Sequence, residues 1–174
     1  MNPRLLLAIA AGVVLAFGGL AAGCDGDGGE LTLEEYFQRL DATFQDADER
    51  GEALGDPGGI VGDPQLSLEQ KRDAVTAFFN EFLAIITDVT GNVEALDPPA
   101  EVEDAHSDLL TALRGFQQSA PGAIDKVDTA QSESEFEALG EEFHSGGEGL
   151  EPACLALQAI ADQNNIAVDL QCRD

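Results

Sequence analysis

Apolar residues between Leu33 and Leu54 recur every three or four positions, as Leu33, Phe37, Leu40, Phe44, Ala47 and Leu54, with acids and glutamines between them. That spacing lays one apolar stripe along a helix. Thr32 and Glu35 stand in the register of a capping box at its start, and Asp56-Pro57-Gly58-Gly59 ends it. The connection from Gly55 to Gln65 holds an apolar pair, Ile60-Val61, between Pro57 and Pro64. A solvent-facing loop has no use for that pair, so it is expected to plug one end of the helical body, with a lid over a binding site as the alternative.

Ser67 and Gln70 form a second capping box and open the longest helix, expected to run to about Leu96. Ala74, Val75, Phe78, Phe79, Phe82, Leu83, Ile85, Ile86 and Val89 make it apolar round most of its circumference, which predicts a central, buried helix. Asn80, Glu81 and Asp88 interrupt the run and leave it too short to span a membrane. Asp97-Pro98-Pro99 turns the chain into a helix whose face is Val102, His106, Leu109, Leu113 and Phe116. Gly115 and Pro121-Gly122 are expected to interrupt it, with Ala123, Ile124 and Val127 on a short helix beyond. A last helical region carries Phe136, Leu139 and Phe143, breaks at Gly146-Gly147, and resumes from Pro152 through Leu155, Leu157 and Ile160. Ile166, Val168 and Leu170 then alternate as in an extended strand, without a second strand pattern to pair with. The expected fold is all-α: an antiparallel four-helix bundle with an extended C-terminal tail.

Charge narrows the partners. With 34 acidic and 8 basic residues the formal net charge is -26, a surface that repels nucleic acid and anionic lipid headgroups. Nucleic-acid binding is excluded, and any membrane attachment needs something other than a basic patch. Such a surface serves solvation or meets a cationic partner. No tryptophan and one tyrosine, Tyr36, argue against a carbohydrate-stacking face.

The N-terminus supplies an attachment. Met1-Asn2-Pro3-Arg4 is singly basic, and Leu5 to Leu20 is an uncharged apolar run ending in small residues, the form of an export signal. Leu20-Ala21-Ala22-Gly23-Cys24 resembles the lipobox of bacterial lipoprotein precursors, with Ala21 where leucine is more usual and Leu20 one step early. The resemblance covers these residues alone. It implies that residues 1–23 are removed and that Cys24 becomes an acylated N-terminus. Each buried CH₂ of its acyl chains contributes about 0.8 kcal/mol, holding the protein to a membrane outside the cytoplasm. A plain secretion signal and a retained membrane helix are the alternatives. Residues 24–30 then read as an acidic, glycine-rich tether rather than a calcium loop, because a glycine replaces the third acidic ligand and no closing glutamate follows. Residues 31–174 are expected to form one helical domain.

With Cys24 taken by lipid, Cys154 and Cys172 remain as an even pair in an oxidising compartment. A helix from about Cys154 to Asn164 rises about 15 Å, and an extended return to Cys172 covers roughly 23 Å, so the tail folds back far enough to close a disulfide. Two buried free thiols are the alternative.

One constellation suggests chemistry. Glu103-His106 and Glu141-His144 are both Glu-x-x-His, the spacing that carboxylate-rich bundles of the ferritin-like kind use to hold iron or another divalent metal. Such a site also needs an inward glutamate from each of the first two helices, for which the chain offers Glu81 and, near a helix end, Glu34 or Glu35. A core role for His106 and a helix-end role for His144 are the alternative readings. Nucleophile elbows, phosphate-cradling loops and CxxC pairs are absent from the sequence. Two functions follow: a lipid-anchored, non-enzymatic binding or structural module without a cofactor, its partner a protein or an unnamed small ligand, or a metal-holding bundle.

Overall fold

The computed structural model describes residues 31–172, whose regular structure is helical: α1 (Leu33–Leu54), α2 (Pro57–Gly62), α3 (Leu68–Glu94), α4 (Glu103–Val127), α5 (Glu133–Gly146) and α6 (Leu150–Gln163). The export segment, Cys24 and the tether lie outside the described residues.

Both predicted capping boxes form. The Glu35 amide donates to Thr32 Oγ1 at 3.2 Å while the Thr32 amide donates to Glu35 Oε2 at 3.1 Å, and the pair Ser67 and Gln70 repeats the arrangement on α3. These bonds hold the Glu35 carboxyl below its usual pKa range. Between the two boxes the expected plug is itself a short helix. Asp56 accepts from the Gly58 and Gly59 amides, Pro57 presets the first turn, and Ile60 and Val61 pack against Val75, Phe79, Phe136 and Leu139.

α4 does not break at Gly115 or Pro121. Residue 121 is exposed, and the Ala120, Ala123, Ile124 and Val127 side chains around it are buried. Their burial on one face outweighs the missing amide, which by itself costs about 3 kcal/mol. The break comes instead at Gly146-Gly147, where α5 ends and α6 follows. Close packing accounts for the small residues there: a Cβ on Gly146 would lie 2.7 Å from Ser119 Oγ, and one on Gly149 would meet the Ala112 Cβ at 3.4 Å. Both partners are on α4.

α3 packs on α1 and α4, and α4 packs on α5 and α6. Two apolar cores result, one at each end. The first joins Tyr36, Phe37 and Leu40 of α1 with Val89 and Val93 of α3, Leu109 and Leu113 of α4, and Leu157 and Ala161 of α6. The second joins Val75 and Phe79 of α3 with Ile124 and Val127 of α4 and Phe136 and Leu139 of α5. Beyond Leu40, α1 buries no residue, and α2 covers α3 and α5 at the second end instead.

The tail is extended but joins no strand among the described residues. Asn165 takes a left-handed conformation (φ 57°), with Ile166 N–H donating to Ala161 O at 3.0 Å and Asn165 N–H to Asp162 O at 3.1 Å, a Schellman end that reverses the chain. Gln158 then plays the missing strand's part. Its side-chain amide donates to Val168 O at 3.1 Å and its carbonyl accepts from Leu170 N–H at 2.9 Å. Cys154 and Cys172 are joined as a disulfide with Cα atoms 5.4 Å apart.

Candidate functional site

The expected burial of the longest helix is only half met. Val75, Phe79, Ile85, Val89 and Val93 of α3 are buried, but Phe78, Phe82, Leu83 and Ile86 are partly exposed. Contrary to the expectation from Asn80, Glu81 and Asp88, α3 is long and apolar enough, by length and composition, to cross a membrane, and its extra apolar face has a local use here. Phe78, Phe82 and Ile86 line a cleft of about 1240 Å³, open between α1, α2, α3, α5 and the α6–tail corner.

The cleft exists because of where the covering helices stop. Phe44 and Ala47, on the half of α1 whose side chains are only partly buried, form one wall, and Pro57 and Val61 of α2 continue it. Phe136, Gly140 and Phe143 of α5 face them, and Leu170 with the Cys154–Cys172 bridge closes one end. Seven of the nine phenylalanines line this one space. Five of them pack on one another: Phe143 lies 4.2 Å from Phe79 and 4.9 Å from Phe116 between ring centres, and Phe82 and Phe78 extend the cluster towards solvent. Edge-to-face contacts of this kind stiffen the floor beyond what area alone supplies.

The charged residues lining the cleft are all acidic, apart from His144: Asp48, Glu133, Glu137, Glu148 and Glu151. Glu133 is neutralised by Lys71, whose ammonium reaches its carboxylate at 2.6 Å. The remaining four form no ion pair with a described residue. Gly140 has open space where a Cβ would stand, so the α5 wall is recessed there.

The four Glu-x-x-His residues do not assemble. His106 is buried at the start of α4, its Nδ1 3.1 Å from the Tyr36 hydroxyl, while Glu103 one turn before it is exposed. Burial, with Arg114 adding to it, lowers the His106 pKa, and burial pushes the Tyr36 phenol well above its ordinary range. Both shifts favour the neutral forms, and the Tyr36 hydroxyl and His106 Nδ1 share a hydrogen bond whose donor is set by the imidazole tautomer. This is a satisfied core histidine. His144 is exposed in the last turn of α5, where its ring suits the helix C-terminus, and Glu141 is exposed. Glu34, Glu35 and Glu81 also face solvent. Among the described residues no group of three or more histidine, cysteine or acidic side chains is placed to share a metal ion.

The sequence reading missed the cleft. A signal was present in Phe78-Phe79 with Phe82, since a helix apolar on most of its surface has more apolar area than a bundle with these short neighbours can cover. No protein-family model, curated protein or solved structure matches the chain, so its chemistry is read from these residues alone.

Proposed function

We propose that the protein is a lipid-anchored, non-enzymatic binding module held outside the cytoplasm, and that its phenylalanine-lined cleft takes an apolar ligand. In this reading the body is an antiparallel four-helix bundle whose fourth member is α5 and α6 together. The order of the cores supports that topology, since α5 pairs with the C-terminal half of α4 and α6 with its N-terminal half. Leu20 to Cys24 supports the acyl anchor, and a disulfide between Cys154 and Cys172 fits an oxidising compartment.

One observation carries the ligand: seven phenylalanines surround a space of about 1240 Å³ that stays open to solvent. Every Å² of apolar surface left wet forfeits roughly 25 cal/mol, and small-molecule sites are typically concave clefts lined in this way. A body that only needed stability would close it by lengthening the buried part of α1.

The test uses the neutral apolar fluorophore N-phenyl-1-naphthylamine with the full oxidised chain carrying Cys24→Ser, so that no acyl chain competes for the probe. Saturable fluorescence enhancement is expected, weakened about tenfold by Gly140→Leu, which fills part of the cleft without removing a contact. Absence of saturable uptake, or uptake indifferent to Gly140→Leu, would overturn the binding reading. The anchor is tested separately by the mass of the Cys24 peptide from the membrane fraction; a bare peptide mass would overturn it.

A further inference from the structure

We infer that the occupant of the cleft is a cationic amphiphile, a hydrocarbon or aromatic body with an amine or quaternary ammonium head. This rests on the cleft being a binding site and adds the sign of its ligand. Among the described residues its floor supplies no charge, and its rim, His144 apart, supplies carboxylates only. Asp48 from α1, Glu137 from α5, Glu148 from the α5–α6 corner and Glu151 from α6 converge on the mouth from separate elements. All four are exposed and form no ion pair with a described residue, and no lysine or arginine lines the cleft among the described residues.

Four of the basic residues among the described ones are committed to other carboxylates. Lys71 holds Glu133, Lys126 holds Glu142, Arg50 bridges Asp46 and Asp88, and Arg114 holds Glu94. A fatty acid or an anionic phospholipid would seat its headgroup against unscreened carboxylates, under the repulsion of a chain carrying -26 overall. A cation gains from both. The partly exposed rings of Phe78 and Phe82 add to this, because the face of an aromatic ring attracts positive charge. A second copy of the chain is a poor occupant for the same reason, since it would bring the same negative charge to the same place.

Displacement of N-phenyl-1-naphthylamine from the full oxidised Cys24→Ser chain separates the possibilities. Dodecyltrimethylammonium, dodecyl maltoside and dodecyl sulfate share one hydrocarbon chain and differ in head charge, and are compared at low salt below their micelle-forming concentrations. The cation is expected to displace the probe at a concentration lower by about tenfold than the neutral head and more again than the anion. That preference should shrink severalfold in about 0.5 M salt, where the Debye length is only about 4 Å. The triple variant Glu137→Gln, Glu148→Gln, Glu151→Gln should lose the preference while binding the neutral probe as before. Equal displacement by all three heads, or a preference for the sulfate, overturns the inference while leaving the apolar site standing. Failure of the probe itself to bind defeats the site first, and a dimer in sedimentation that excludes the probe assigns the cleft to a second copy.

Discussion

At the residue scale, the histidine that looked like half of a metal motif is part of the packing. His106 and Tyr36 satisfy one another across 3.1 Å inside the first core. Tyr36→Phe leaves Nδ1 of a buried ring without its partner, and is expected to lower unfolding free energy by about 1–3 kcal/mol in urea denaturation. The same burial makes stability depend on pH. Because the folded pKa of His106 lies below its ordinary 6.5, both states are neutral above that pH and the contribution is whole. As pH falls through 6.5 and then through the folded value, the unfolded chain takes up a proton that the folded one resists, and stability declines. The difference in unfolding free energy between the wild type and His106→Gln should shrink over that window; a constant difference between about pH 8 and pH 5 would show that folding leaves the proton affinity of the ring unchanged.

Elements meet the cleft with unequal commitment. α3 and α4 belong to both cores, while α1 belongs to the first alone and α5 to the second. The tail is held by a covalent link and by one glutamine, Gln158, in place of a strand ladder. Cys154→Ser with Cys172→Ser is expected to cost about 3 kcal/mol, from the chain entropy released by opening a loop of this size, and to weaken probe binding because Leu170 and Cys172 close one end of the cleft. Thermal melts of the oxidised and reduced protein check the first effect, and fluorophore titration checks the second. Unchanged affinity would mean that the tail is not part of the site's wall. The helix boundaries here were legible where capping chemistry marked them, at Thr32 and Ser67. They were not legible at Pro121, where a local rule against proline lost to the burial of four neighbouring side chains.

For the whole molecule, charge is the dominant fact. A net -26 on the chain, with few ion pairs among its described residues, means that folding works against its own repulsion, and salt screens that repulsion. The melting temperature is therefore expected to rise between roughly 10 mM and 0.5 M sodium chloride, the range over which the Debye length falls from about 30 Å to a few Å. A melting temperature that falls or stays level would mean that the surviving ion pairs, such as Lys71 with Glu133, outweigh the repulsion. Ligand preference and stability should thus respond to salt in opposite directions, the first weakening as the second grows.

Periodicity, capping residues and cysteine spacing are local or nearly local properties, and they were enough to specify a helical body, the starts of α1 and α3, and a tail that returns to Cys154. Whether two side chains one turn apart share a direction is likewise local, but what they then meet is not. Glu103 and His106 obey the spacing of a ligand pair, yet one faces water and the other faces Tyr36, seventy positions away in the chain. The cleft was decided later still, because it is the space left where α1 stops burying residues and α2 begins to cover α5. Sequence states how much apolar surface a helix presents; only the assembled neighbours determine how much of it they reach.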